Sequence, residues 1–143
     1  MRSERGFTLV ELLVVFAITA LLIGLIPVAF DRMRESAQYR NTLRSMLTDM
    51  RGARYRAVSE GTETRFKVNL GQRTFGVDGQ PMREFPESLQ VRVIVANTEL
   101  ANGQEGAIRF LADGGATGGS VDVVRASGSG VRLRVDWLSG RVT

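Results

Sequence analysis

Neither cysteine nor histidine occurs among the 143 residues. Without cysteine there is no disulfide, no thiolate nucleophile and no soft metal ligand. Without histidine the commonest general base and metal ligand is missing. Catalysis would fall to carboxylates, Ser, Thr, Lys or Tyr, and no such set gathers in the sequence. Glu84 and Glu87 flank Pro86, Asp113 sits in a turn, and Ser127 and Ser129 lie among glycines with no base nearby. Asp78, Asp113 and Asp122 do not follow the spacing of an EF-hand calcium loop. The expectation is therefore no enzyme, no cofactor and no bound metal. Lysine is nearly absent too: 18 of the 19 basic residues are arginine. The net charge of +4 is spread among 15 acids, so the surface reads as well mixed and nucleic acid is not an expected partner.

Charge is also missing from one long stretch. Between Phe7 and Phe30 the single ionisable residue is Glu11. A bilayer core of about 30 Å needs about 20 apolar residues in a helix, and Leu12 to Phe30 nearly meets that length without a charge. Residues 7–30 are expected to be a transmembrane half-helix. Proline is scarce, and Pro27 falls inside this stretch, where it is expected to break or bend the helix. The head before it carries Arg2, Arg5 and the α-amine against Glu4, which keeps that side cytoplasmic and sends the rest of the chain to the periplasm. Arg32 and Arg34 beyond the span weaken the asymmetry, and Asp31 and Glu35 partly offset them. A cleaved secretory signal fits poorly, because the apolar core is too long, contains Glu11 and ends without a small-residue site. A plain signal anchor remains an alternative.

Glu11 is open to two compatible readings. A carboxylate near the start of a membrane helix is costly and points to a function. Thr8-Leu9-Val10-Glu11 also has capping-box spacing, in which Thr8 caps the helix and Glu11 reaches back to it.

Beyond Phe30 neither Gly nor Pro interrupts the chain until Gly52. At 100° per residue Tyr39, Leu43, Met46, Met50, Ala53 and Ala57 share one face, with Leu47 at its margin and Arg40, Arg44, Arg51 and Arg54 on an adjacent solvated stripe. The reading is one helix from about Phe7 to Val58, whose amphipathic half, residues 31–60, packs on a soluble domain. From Thr62 the period becomes two. Thr64, Phe66, Val68 and Leu70 form one inward set, and Thr74–Val77 follows after a turn. Pro81 to Pro86 reads as loop, Leu89–Val95 as a strand, Asn97 to Gly106 as loop, and Gly106–Leu111 as a short strand. Asp113–Gly119 is the most glycine-dense segment; it matches neither a P-loop nor G-x-G-x-x-G and reads as a β-connection. Ser120–Arg125 is another strand. In the last, Val131, Leu133, Val135 and Trp137 are expected to face inward. A long helix followed by short antiparallel strands is an α+β architecture, with residues 61–143 as a β-rich periplasmic domain.

Gly6-Phe7-Thr8-Leu9-Val10-Glu11-Leu12-Leu13 resembles the processing site of type IV prepilins and type II secretion pseudopilins. The resemblance implies a pilin-like fold and a six-residue leader, residues 1–6. A prepilin peptidase would cut between Gly6 and Phe7 and methylate the new Phe7 amine. It implies that Glu11 pairs with the amino terminus of a neighbouring subunit during assembly, and it expects a proline near position 27. The C-terminal segments Ile108–Gly114, Gly118–Val121, Val131–Val135 and Gly140-Arg141-Val142 resemble H-type minor pseudopilins and the related FimT/FimU-like minor pilins. The implied function is a minor pseudopilin of type II secretion near the tip of a short periplasmic filament that helps export folded proteins. The implied partners are the other minor pseudopilins, the major pseudopilin, the prepilin peptidase and the inner-membrane secretion platform. The alternative is a minor pilin of a type IV pilus, with or without DNA binding for uptake, for which Arg132, Arg134 and Arg141 are the candidate phosphate contacts.

Overall fold

The computed structural model describes residues 6–96, 100–101 and 103–143, without the side chains of 25–29, 100 and 101. One helix, α1 (Leu9–Glu60), is followed by eight strands: β1 (Thr64–Asn69), β2 (Thr74–Val77), β3 (Arg83–Glu84), β4 (Leu89–Val95), β5 (Leu100–Ala101), β6 (Glu105–Phe110), β7 (Gly119–Arg125) and β8 (Gly130–Val135). Chain contacts divide the protein into two units, residues 1–37 and Gln38–Thr143.

In the first unit α1 is exposed from Leu9 to Gly24, and its apolar residues Leu9 to Ile23 all face outward. The helical range includes Pro27. The expected bend there falls on residues 25–29, whose side chains lie outside the described residues, as does the leader before Gly6. Among the described residues no helix is long and apolar enough to cross a membrane. Leu9–Gly24, the described apolar part, is 16 residues long. At 1.5 Å per residue it spans about 24 Å, short of the hydrocarbon thickness of about 30 Å.

In the second unit the strands form two antiparallel sheets, in the orders β3-β2-β1-β6-β5 and β4-β7-β8. The helical face read from the sequence is the buried one: Tyr39, Met46, Met50, Ala53 and Ala57 join Phe66, Val68, Phe75, Ile108, Phe110, Val121, Val123, Leu133 and Val135 in one core, with Leu43 and Leu47 packed at its edge. The two sheets meet closely at Gly106 of β6. A Cβ there would lie 2.8 Å from Val93 Cγ1 of β4, so a side chain would push the sheets apart. The helix stops two residues beyond the expected Val58. Gly61 takes a left-handed φ of 65°, and the Thr62 N–H donates to the Ala57 carbonyl at 3.2 Å, a Schellman termination.

Four expectations need correction. The 81–86 segment contains β3, which pairs through Thr74↔Glu84 and Phe75↔Arg83. The 97–106 segment contains β5, paired to β6. Arg54 does not lie on a merely solvated stripe, because its Nε donates to the carbonyls of Gly114 and Ser139. Finally, Trp137 does not face inward; it is 67% exposed, and Val131 is also exposed. The alternation ends at Val135, where the chain reverses. Asp136 Oδ1 accepts from both the N–H and the hydroxyl of Ser139, each at 2.8 Å. The Gly140 N–H donates to the Asp136 carbonyl, and Arg134 and Thr143 exchange two backbone bonds. Trp137 and Leu138 therefore sit at the tip of a turn.

Candidate assembly site

The N-terminal constellation stands at the start of α1. Gly6, Phe7 and Thr8 precede the helix, and Phe7 is 77% exposed. Thr8 Oγ1 accepts the Glu11 N–H at 3.3 Å, and the Thr8 carbonyl accepts the Leu12 N–H at 3.2 Å. Thr8 is thus the N-cap. Only half of the capping box is made, because the Glu11 carboxylate has no hydrogen-bond partner among the described residues. It stands on an apolar, exposed helix.

The second group of residues lies on the C-terminal sheet. Arg132 grips Asp122 across the β7–β8 pair, with Nε on Oδ1 at 2.6 Å and Nη2 on Oδ2 at 2.8 Å. The Arg132 bond is the main reason the Asp122 carboxyl is held below the usual carboxylate range, and burial opposes it. Of the three arginines considered for phosphate contact, one is therefore neutralised at home, while Arg134 and Arg141 have no ion pair among the described residues. Among the described residues no cluster of His, Cys, Asp and Glu is placed to hold a metal ion.

Three arginines that carry structure gave no signal in the sequence. Arg54 ties α1 to the Gly114 and Ser139 carbonyls. Arg73 Nη2 donates to Pro86 and Leu89 carbonyls at 2.7 and 2.9 Å, with its guanidinium 4.8 Å from the Phe85 ring centre. The Arg125 guanidinium lies 4.5 Å from the Tyr39 ring centre, coupling β7 to the helix. The outward turn at Trp137, by contrast, did have a signature: Asp136 and Gly140 are turn formers that cut the alternation short.

Residues 42–140 match the family described as type II transport protein GspH, and residues 1–27 match the prokaryotic N-terminal methylation motif. The chain belongs to the GspH family. The GspH-family chain is 32% identical over 143 residues to type II secretion system protein H of Xanthomonas campestris pv. campestris, covering 99% of this chain and 83% of that protein. Its fold is similar to two structures of the minor pseudopilin EpsH from the type II secretion system of Vibrio cholerae. One superposes with a TM-score of 0.57 over 74% of this chain and 94% of EpsH, at 12% identity. The other gives 0.56 over 75% and 92%, also at 12% identity. The likeness establishes the pilin-like α+β fold of this GspH-family member.

Proposed function

We propose that this GspH-family chain is a minor pseudopilin, a structural and non-catalytic subunit of the periplasmic pseudopilus of type II secretion. The observation that carries the reading is Glu11, a carboxylate with no hydrogen-bond partner among the described residues on an otherwise apolar, exposed helix within the methylation motif. A bare carboxylate in hydrocarbon is costly, and an ammonium brought beside it recovers much of that cost. The amine of a processed Phe7 on a neighbouring subunit supplies that charge. In this reading residues 1–6 are the leader, residues 7–30 anchor the chain once in the inner membrane with the leader cytoplasmic, and the domain from Gln38 onward stands in the periplasm. There it meets the other minor pseudopilins and the major one near the filament tip.

The test is processing. Co-expression with a prepilin peptidase is expected to remove residues 1–6 and leave N-methyl-phenylalanine at position 7. An intact Met1 terminus by mass spectrometry, in cells whose peptidase processes another prepilin, would overturn the assignment.

A further inference from the structure

The β4-β7-β8 sheet carries a groove of about 560 Å³ that the N-terminal motif does not use. Its walls are Ile94 on β4 and Trp137 and Arg134 on the other side. Its floor requires glycine. Gly118 and Gly119 have φ of 75° and 145°, and Cβ atoms there would come within 3.1 Å of the Trp137 Cβ and 2.7 Å of the Ile94 carbonyl oxygen.

The groove is apolar and cationic together. Ile94 and Trp137 in its walls are 57 and 67% exposed, and Leu138, next in the chain beyond the lining, is 71% exposed. An exposed tryptophan beside aliphatic side chains and arginine is the composition of binding hot spots. The antiparallel register sets Arg92, Asp122 and Arg132 in one row and Ile94, Ser120 and Arg134 in the next. Three arginines thus face two aspartates, and both aspartates are already engaged: Asp122 with Arg132, and Asp136 with Ser139. Arg134 makes no close ion pair among the described residues, although its charge acts on Asp136 at longer range.

We propose that this groove receives an acidic segment of a partner pseudopilin, one that places a bulky apolar side chain between Ile94 and Trp137 and a carboxylate against Arg134. A nucleic acid is the poorer occupant, because among the described residues the groove offers Arg134 as its one arginine without a close ion pair, and binding a phosphate backbone needs several such contacts. A second copy is poorer still, since a two-fold contact would set the cationic face against itself. The inference rests on the pseudopilin reading for the class of partner.

The experiment uses the full chain in cells that carry the secretion genes, with a photo-crosslinking amino acid at position 138. The expected adduct is with another pseudopilin, and peptide mapping places it within about three residues of an Asp or Glu. Hot-spot truncation and charge reversal, Trp137→Ala and Arg134→Glu, are expected to lower the adduct about tenfold or more, while Arg134→Lys retains it. Changing the mapped acid to Arg restores the adduct of Arg134→Glu. An adduct indifferent to Arg134→Glu, or one mapping to a second copy, to lipid or to DNA, overturns the proposal. Leader removal read in the same cells separates the two claims. A cleaved chain without a position-138 adduct overturns the docking surface alone, whereas an uncleaved chain overturns the pseudopilin as occupant as well.

Discussion

The Ser139 carbonyl oxygen accepts the Arg54 Nε–H at 3.1 Å, joining the helix to a turn 85 residues later. The same Nε–H lies 3.3 Å from the Gly114 carbonyl, so one guanidinium holds two loops against α1. Bonds from a charged donor contribute about 1.5–3 kcal/mol when buried, and this one is partly wet. Arg54→Ala is expected to cost about 1–2 kcal/mol in urea unfolding, with a fixed slope of free energy against denaturant. Arg54→Lys is expected to recover little, because an ammonium does not reproduce the direction of Nε–H. A variant as stable as wild type would show that the tie contributes nothing.

A fragment beginning near Asp31 drops the exposed apolar half of α1 and keeps the face that joins the core. It is expected to be soluble and mixed α/β by circular dichroism; aggregation or disorder would contradict the helix-on-sheet layout. Within it Phe110, fully buried, and Trp137, at a turn tip, should part company. Phe110→Ala is expected to cost about 3–5 kcal/mol through the cavity it leaves. Trp137→Ala is expected to stay within about 0.5 kcal/mol, as an exposed substitution does. A large loss at Trp137 would return that ring to the core.

How legible the fold was depended on whether the signal was local. The Tyr39-to-Ala57 face and the Phe66, Val68, Leu133 and Val135 positions follow from periodicity, because burial on one side imposes a fixed repeat. β3 and β5 are two residues each, too short to carry a repeat, and exist through the edges of β2 and β6 that they cover. Trp137 was misplaced by extending an alternation through Asp136, a residue whose side chain bonds its own turn. The Gly6–Glu11 motif was readable because the N-terminal methylation motif it matches is one contiguous run, residues 1–27. The groove at Gly118 and Gly119 was not, since its walls come from β4 and the turn after β8, more than 40 residues apart in sequence.

Acid and base should act on this domain through opposing aspartates. Asp49 has a side chain only 10% exposed, and burial raises its pKa above the ordinary carboxylate value, against Arg83 at 3.6 Å and Arg56. A raised folded pKa means that the folded state binds the proton more tightly. The stability it contributes is complete below the unfolded pKa and is lost as pH rises through the folded one. Asp78 and Asp122 are lowered, by hydrogen bonds from Lys67 and Arg132 first of all. Their contribution is present above the unfolded pKa and is lost as pH falls through the folded values. Asp49→Asn is therefore expected to stabilise the fragment at pH 7, with the gain vanishing below about pH 4. Asp122→Asn should destabilise it at pH 7 by no more than about 1 kcal/mol, since its partner is largely exposed, and should make no difference in acid. The reverse order in paired pH-dependent unfolding curves would refute the assignment.

The two roles open to Glu11 separate by substitution. Thr8 Oγ1 accepts the Glu11 backbone N–H, a bond that any residue at position 11 can donate. Capping therefore depends on Thr8, and Glu11→Gln leaves it intact, Gln being accepted at that position of the box as well. The carboxylate itself has no hydrogen-bond partner among the described residues, so Gln removes only a charge. If that charge meets the methylated amine of a neighbour, its loss leaves an ammonium uncompensated in a low-dielectric setting, which is far costlier than losing a cap. Membrane insertion, leader removal and folding from Gln38 onward need no such pair. Glu11→Gln is expected to reach wild-type levels in the membrane, lose its leader normally, and co-purify poorly with partner pseudopilins after crosslinking. Thr8→Ala, which removes the cap and keeps the charge, is expected to assemble better than Glu11→Gln. Equal recovery of wild type and Glu11→Gln in crosslinked filaments, at equal membrane levels, would show that this charge does not dock the subunit. A subunit at the very tip has no neighbour above it to offer an amine. At that position the Glu11→Gln effect shrinks, while blocking the chain's own Phe7 amine still prevents entry. Comparing the two defects in one assay therefore reads the subunit's place in the filament from the charges at its two ends of the contact.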